Sequence, residues 1–174
     1  MPDFNKILDA GDVDGGHINT VIEIPKGSMH KIEWNRELAC FELDRVEPGI
    51  FAKPANYGFI PQTLDEDGDE LDTLVITEEP LPTGVYVTAR IIGVMNFEDD
   101  GEMDHKIICV TKDDRHSADA ITSSDDLTDG WKRMIEHHFT HYPDLKKPGS
   151  TKVLGFGNAD DAKKIINECI TRWA

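Results

Sequence analysis

Short runs in which apolar and polar residues alternate fill much of the chain between residues 19 and 111. Alternation with a period of two residues is typical of strands that bury one face. Turn sequences such as GSMH and NREL separate the runs, and EDDGEMD joins the last two as a hairpin. The predicted strands are residues 19–25, 30–35, 39–46, 72–77, 85–97 and 105–111.

Three prolines lie between the third and fourth predicted strands, at Pro48, Pro54 and Pro61. Proline has no backbone N–H, and it disfavours the helical conformation in the residue before it. These positions therefore keep residues 48–61 out of a helix. We expect this segment to be an ordered excursion between two strands.

The last third of the chain changes to helical spacing. One apolar stripe ends at Pro143, which stops its helix, and a second follows Asn158, a suitable N-cap. The first stripe contains Trp131, Met134, Ile135, His138, Phe139 and Tyr142, and the second contains Ala162, Ile165, Ile166, Cys169, Ile170 and Trp173. Short strands followed by helices predict an α+β fold, mainly β, in which helices flank a small closed five-stranded, OB-like β-barrel.

Size and charge narrow the class of protein. The 174 residues suit one domain spanning 1–174, and a formal charge of −16 argues against nucleic acid or an anionic membrane as a partner. Cys40, Cys109 and Cys169 are widely spaced, without a CxxC pair, which argues against a disulfide framework or a zinc site. No run approaches the roughly 20 apolar residues of a transmembrane helix, and no signal peptide is visible. We expect a cytoplasmic protein.

The stretch LDEDGDELDTLVI, residues 64–76, crowds acidic side chains just before a predicted strand. The stretch does not match the EF-hand calcium-binding loop in either of the two possible alignments, because the twelfth position, where the loop needs Glu, is Ile76 or Leu74. The remaining pattern, D-x-D-x-x-D, consists of Asp67, Asp69 and Asp72, with Gly68 allowing a tight turn. Three carboxylates in this pattern suit a hard cation such as Mg²⁺, and the alternative is an exposed acidic turn.

A second acidic cluster, EDDGEMDHK at residues 98–106, contains Asp99, Asp100 and Asp104 on a predicted hairpin. Charged hairpin tips are common without any function, which is the simpler interpretation. Asp104 and Lys106, however, are two residues apart on a strand and therefore share a face.

Two further cations lie on predicted strands. Lys31 shares a face with Glu33, and Arg45 shares its face with Phe41 and Leu43, which predicts that Arg45 points inward. Carboxylates collect metal ions, whereas Lys and Arg bind anionic oxygen. Together they predict a site for a metal–phosphate complex, which is what phosphoryl transfer requires.

These residues resemble those of the soluble family I inorganic pyrophosphatases of the prokaryotic type. The resemblance runs along nearly the whole chain, through VIEIPKGSMHKIEW, LDRV, PANYGFIPQTL, DGDELD, ITEEPLPTG, GVMNFEDDGEMDHKIICV and HHFTHY. It implies a small β-barrel with flanking helices that hydrolyses pyrophosphate to two orthophosphates by a metal-activated water. The implied cofactor is Mg²⁺, or another divalent ion such as Mn²⁺.

The resemblance also implies a role for individual residues. The implied catalytic residues are Asp69 as general base, Tyr57 as a hydroxyl close to the nucleophile and Glu33 as a tuning carboxylate. The implied metal-binding residues are Glu23, Asp67, Asp72, Asp99 and Asp104, with Asp100 as a neighbour that tunes them. The implied phosphate-binding residues are Lys31, Arg45, Lys106 and Tyr142, with Tyr57 beside them.

Two positions depart from the family pattern. Lys53 stands where Tyr is common, and Pro143 stands where a phosphate-binding Lys is common. The ammonium missing at Pro143 leaves Lys53, Lys146 and Lys147 as alternative donors.

His137 and His141 are four residues apart on a predicted helix, but HHFTH lacks the Glu of a zinc-binding HExxH motif. Ordinary core or surface histidines are the simpler interpretation. The resemblance implies that His137, His141 and Asp144 lie near a subunit contact of a homohexamer.

Two other functions compete with pyrophosphate hydrolysis. One is a related phosphohydrolase that acts on nucleotides or polyphosphate. The predicted site offers no pair of aromatic residues to enclose a base, which argues against nucleotides. The other is a non-catalytic protein that binds divalent metal ions, which leaves Lys31, Arg45 and Lys106 without a role. Phosphate release from a panel of substrates distinguishes the three.

Overall fold

A computed structural model describes residues 3–116 and 120–174. The strands are β1 His17–Ile24, β2 His30–Asn35, β3 Cys40–Val46, β4 Asn56–Phe59, β5 Asp72–Ile76, β6 Tyr86–Asp99, β7 Glu102–Met103, β8 Lys106–Thr111 and β9 Thr151–Asn158. The helices are α1 Phe4–Ile7, α2 Asp129–His141 and α3 Ala159–Trp173, and short 3₁₀ turns lie at Gly49–Phe51 and Ser124–Asp126. No helix in these ranges is long and apolar enough to cross a membrane.

Five strands close into a barrel in the order β1-β4-β5-β8-β6, and β6 pairs back with β1. The β5–β8 pairing is parallel, whereas the other four are antiparallel. Strands β7 and β9 extend the sheet from β6, and β2–β3 form a separate hairpin. The predicted mainly β fold with a small closed barrel and flanking helices is therefore confirmed.

Barrel strands bury both of their faces. In β8, Ile107 and Cys109 pack in the cluster that includes α3, whereas Ile108 and Val110 pack in the cluster that includes α2. Burial on both sides explains why this strand is a continuous apolar run without polar residues in between. The two long helices are thus part of the core.

Both predicted helices form where their spacing indicates. Tyr142 is the C-cap of α2, just before Pro143, and Asn158 caps α3 by accepting hydrogen bonds from the N–H groups of Asp160 and Asp161. Met134 lies outside the buried stripe of α2, with nearly half of its side chain exposed.

Three strands escape the sequence prediction: β4 within the Pro-rich segment, the two-residue β7 within the predicted hairpin connection, and β9 after α2. Strands β4 and β9 contain glycine, which weakens the alternation signal. Gly58 in β4 is required by close packing, because a Cβ there would lie 2.1 Å from the carbonyl oxygen of Val21 in β1. Strand β4 can close the barrel only with this small residue.

The predicted orientation of Arg45 is wrong in one respect. Lys31 pairs with Arg45 but Ile32 pairs with Leu43, so Asp44 is an extra residue that forms a bulge in β3. The bulge breaks the two-residue period, and Leu43 is 54% exposed. Arg45 therefore does not share a buried face with Leu43.

The acidic loop, residues 65–71, is fixed to α3 by its first residue. Asp65 is buried and accepts hydrogen bonds from the N–H of His105 at 2.9 Å and from Arg172 Nη1 at 3.4 Å. Arg172 also donates to the carbonyl oxygen of Leu64 at 2.9 Å. The N–H of Leu64 in turn donates to the carbonyl oxygen of Cys169. These contacts position the loop before β5 begins.

Replacing the anchoring carboxylate, Asp65→Ala, is expected to reduce the free energy of unfolding by about 2 kcal/mol, because it leaves buried donors without an acceptor. The amides of residues 66–71 are expected to exchange faster with deuterium, since the loop loses its link to α3. Urea unfolding and hydrogen exchange in EDTA measure the two effects.

The control is Glu66→Ala, which removes the neighbouring carboxylate. Glu66 also lies 3.6 Å from Arg172 Nη2, but this ion pair is exposed, so its loss should change stability by less than about 0.5 kcal/mol. Equal exchange of the loop amides in both variants would show that Asp65 does not hold the loop.

Candidate active site

A cavity of about 500 Å³ is lined by residues of the β2–β3 hairpin, the barrel, the acidic loop and the C-terminal part of α2. It brings together all of the residues predicted for the site except Arg45 and Asp100. Its acidic lining residues are Glu23, Glu33, Glu37, Glu42, Asp67, Asp69, Glu70, Asp72, Asp99 and Asp104, and its basic ones are Lys31, Arg36, Lys53 and Lys106.

The centre of the cavity is a contact between Asp72 and Lys106, the first residues of β5 and β8. The parallel register places them directly opposite each other. Lys106 Nζ lies 2.5 Å from Asp72 Oδ2 and also contacts Asp104, and the hydroxyl of Tyr57 donates to the same Oδ2. The cluster therefore joins two carboxylates, one ammonium and one phenol.

The pKa values in this cluster reflect burial. Burial raises the pKa of Asp72 to about 7, although Lys106 opposes the shift. Burial by itself lowers the pKa of Lys106, but Asp72 and Asp104 outweigh it, and the net shift is upward. Burial and then Asp72 raise the pKa of Tyr57, which favours its protonated, hydrogen-bond-donating form.

Three other acids of the cavity, of which only Glu23 is buried, lack sufficient positive charge around them. Burial and then Asp72 raise the pKa of Glu23 well above its usual value, while burial and then Asp104 raise that of Asp67 to about 6. Burial and then Asp100 raise the pKa of Asp99. The cavity thus concentrates carboxylates that repel one another, and a bound cation would relieve the repulsion.

Gly68 has a φ of +91° and lets the acidic loop turn between Asp67 and Asp69. The N–H of Asp69 donates to Asp67 Oδ1 at 3.1 Å. The Asp69 side chain is 83% exposed, so it lies at the open mouth of the cavity. Its carboxylate is accessible to a water molecule.

Glu23 ties the barrel to the hairpin. It lies on β1, and its Oε1 accepts a hydrogen bond of 2.6 Å from the N–H of Trp34 on β2. The hairpin therefore brings Lys31 and Glu33, which contact each other, to the cavity wall.

Arg45 and Asp100 line an adjoining cavity of about 460 Å³, together with Lys146 and Lys147. The two cavities share three lining residues, Lys31, Asp99 and Tyr142. Arg45 contacts Asp44 at 2.6 Å and also Glu47, and Asp100 contacts Lys147. The predicted site is therefore divided between two neighbouring cavities.

Arg36 is a cavity residue that the sequence analysis missed. Its guanidinium lies 3.8 Å from Asp69 and 3.6 Å from Glu70, and it stacks over Trp173 at 5.4 Å. The residue belongs to the sequence NREL, which predicts only a turn. A basic residue between two strands that already carry cations was the available signal.

The helical histidines lie outside both cavities. The rings of His137 and His141 are 4.6 Å apart, and His141 Nδ1 is 2.9 Å from Asp144 Oδ2. The three predicted contact residues thus form one small group at the end of α2.

The cavity's donors fit a hard divalent cation by their chemistry, since they are carboxylate oxygens with too few cations among them. Within residues 3–116 and 120–174, however, no three His, Cys, Asp or Glu side chains are grouped closely enough to hold one ion. The reason at the centre is Lys106, whose ammonium contacts both Asp72 and Asp104. Metal binding there requires these side chains to rearrange.

The sequence model of the family described as inorganic pyrophosphatase matches residues 20–174. An inorganic pyrophosphatase of Neisseria meningitidis is 65% identical over 173 residues, which are 99% of this chain and 98% of the relative. One of Thermus thermophilus is 40% identical over 97% of both chains.

Solved structures agree with the sequence comparisons. The crystal structure of an inorganic pyrophosphatase from Neisseria gonorrhoeae has a TM-score of 0.96 and 64% identity, and the similarity covers 98% of this chain and 99% of that one. The Thermus thermophilus structure has a TM-score of 0.88 and 39% identity, with 95% and 96% coverage. The chain belongs to the inorganic pyrophosphatase family.

Proposed function

We propose that this family member hydrolyses inorganic pyrophosphate to two orthophosphates with Mg²⁺ held by the carboxylates of the larger cavity. The observation that carries the proposal is the composition of that cavity. Carboxylates with raised pKa values, among them Glu23 and Asp72, line one space together with the ammonium groups of Lys31 and Lys106. A complex of a divalent cation with a polyanion is complementary to both sets of charges.

The acids divide into a group for metal binding and a group around it. Asp67, Asp72 and Asp104 are proposed to hold the first metal ions, and Glu23 and Asp99 to receive those that enter with the substrate. Asp100 and Glu33 tune these groups through charge. Mg²⁺, or Mn²⁺ in its place, would neutralise phosphate charge and lower the pKa of a bound water towards 7.

Asp69 is the proposed general base. Its exposed carboxylate lies at the cavity mouth, beside Asp67, where it can accept a proton from the attacking water. The water oxygen forms a bond to one phosphorus while the bridging P–O bond breaks. The electron pair of the broken bond leaves with the bridging oxygen on the second phosphate. The protonated hydroxyl of Tyr57 donates a hydrogen bond to Asp72 and keeps that carboxylate oriented.

The cations and Tyr142 are proposed to hold the phosphates. Lys31 and Lys106 line the cavity, and Arg45 lies in the adjoining one, where it can reach a departing phosphate. Fixed cations stabilise the charge that develops on the leaving group. Tyr142 lies between the two cavities, with its hydroxyl 3.4 Å from Asp99 Oδ2.

The competing functions lack comparable support. A nucleotide needs a surface on which its base can stack, but Trp34 and Phe59 of the lining stack on each other in a core cluster. The other aromatic residues of the lining, Tyr57, Phe139 and Tyr142, surround the ammonium of Lys53. A non-catalytic metal-binding protein has no need of Lys31 and Lys106 opposite its carboxylates. We further propose that residues 1–174 form one domain and act as a homohexamer. A cytoplasmic location stays a prediction from the sequence.

A substrate panel tests the reaction. With Mg²⁺, we expect rapid phosphate release from pyrophosphate but not from ATP or tripolyphosphate, and we expect EDTA to abolish it. The variant Asp69→Asn should lower kcat by about 10²–10⁴-fold, because it removes the proton acceptor.

Glu66→Gln is the matched control, since Glu66 lies in the same loop but does not line the cavity. Activity towards all three substrates, or full activity of Asp69→Asn, would contradict the proposed site.

Assembly is expected to depend on pH, because His137, His141 and Asp144 lie together near the proposed subunit contact and histidine is the side chain that most often changes charge in this pH range. Sedimentation velocity should show a hexamer at pH 8 and smaller species at pH 5.5. The double variant His137→Gln, His141→Gln should lose this dependence. One unchanged species across the range in the unaltered protein would refute the role of these histidines.

A further inference from the structure

Lys53 is a buried lysine whose backbone is firmly held. Its N–H donates to the carbonyl oxygen of Ser28 at 3.0 Å, and its own carbonyl accepts from the N–H of Gly27 at 2.8 Å. The residue is only 9% exposed, and its side chain lines the larger cavity. The chain thus places a long cationic side chain at the cavity wall on a fixed backbone.

Three aromatic rings surround its ammonium. Lys53 Nζ lies 4.6 Å from the ring centroid of Tyr57, 5.2 Å from that of Tyr142 and 5.3 Å from that of Phe139. Within the described residues it forms no ion pair with a carboxylate, whereas Lys31 and Lys106 each contact two. Aromatic faces attract a cation but do not replace a negative partner.

The surroundings of Lys53 make its charge more costly. Lys106 Nζ lies 5.6 Å from the centroid of the same Tyr57 ring, so two ammonium groups share one aromatic neighbour. Burial and then Lys106 lower the pKa of Lys53 to about 8. Burial and then Lys53 lower the pKa of the nearby His138 to about 3, so this ring is neutral and adds no further positive charge beside Lys53.

We propose that Lys53 binds a phosphate oxygen of the substrate, and that the three aromatic rings hold its ammonium in place to receive that oxygen. This inference rests on the proposed function, because it assumes that the anion is pyrophosphate. A bound phosphate would supply the ion-pair partner that Lys53 lacks among the described residues. The residue thereby compensates for a phosphate-binding ammonium that Pro143 does not offer.

The other two candidate lysines are less suited to this task. Lys147 contacts Asp100, and its side chain is 64% exposed. Lys146 lies beside it in the adjoining cavity, away from Asp72 and Lys106. Of the three, Lys53 alone lines the larger cavity.

The test is Lys53→Met, which keeps the apolar stem and removes the charge. Loss of one charge-assisted hydrogen bond is expected to raise KM for pyrophosphate about 10- to 100-fold. Calorimetry with inorganic phosphate and Mg²⁺ should show similarly weakened binding. Lys53→Arg should recover part of the affinity, because it restores the positive charge.

Lys26→Met is the matched control. It also removes one lysine charge, but Lys26 donates to the carbonyl oxygens of Thr77 and Glu78 and lies outside the cavity. KM and phosphate affinity should therefore stay within twofold of the unaltered protein.

The outcomes distinguish a failure of the role proposed for Lys53 from a failure of the proposed function. Unchanged KM and phosphate affinity in Lys53→Met, with or without a lower Tm, would mean that Lys53 only supports the core and would overturn the inference. If the unaltered protein fails to hydrolyse pyrophosphate but Lys53→Met still weakens phosphate binding, the proposed function fails and the phosphate-binding role remains.

Discussion

The parallel pairing of β5 and β8 is the constraint on which the site depends. It aligns Asp72 with Lys106 at the first residue of each strand. The antiparallel neighbour β4 brings Tyr57 to the same place, and Asp104 lies there because it precedes Lys106 by two residues. The strands bury both faces, so this register cannot slip without exposing core residues. A packed hydrocarbon core thereby fixes the positions of charged groups that repel one another.

The sequence is sufficient to predict most of the architecture. The apolar stripes of α2 and α3 and the N-cap at Asn158 appear in the structure as their spacing indicates. These features are local, since they depend on residues three or four positions apart. Strand β4 was missed because it is only four residues long and lies among prolines, and its need for Gly58 arises from β1, a distant segment.

The sequence predicts many of the residues that line the two cavities, though not Arg36, and it does not predict how they are arranged. Acidic patterns and the family resemblance identify residues that the fold brings to two adjoining cavities. The bulge at Asp44 is not visible in the sequence, because one extra residue changes the facing of Arg45 without changing the composition of β3. The environment of Lys53 depends on Tyr57, Phe139 and Tyr142, which come together only in three dimensions.

The attachment of the acidic loop to α3 has a practical consequence for handling the protein. Arg172, two residues before the C-terminal Ala174, donates to Leu64 and Asp65. A truncation that removes the final turn of the helix would cut this connection, although it deletes nothing that lines the cavity. The last turn of α3 therefore belongs to the structural support of the acidic loop, although Arg172 and Leu64 are 108 positions apart along the chain.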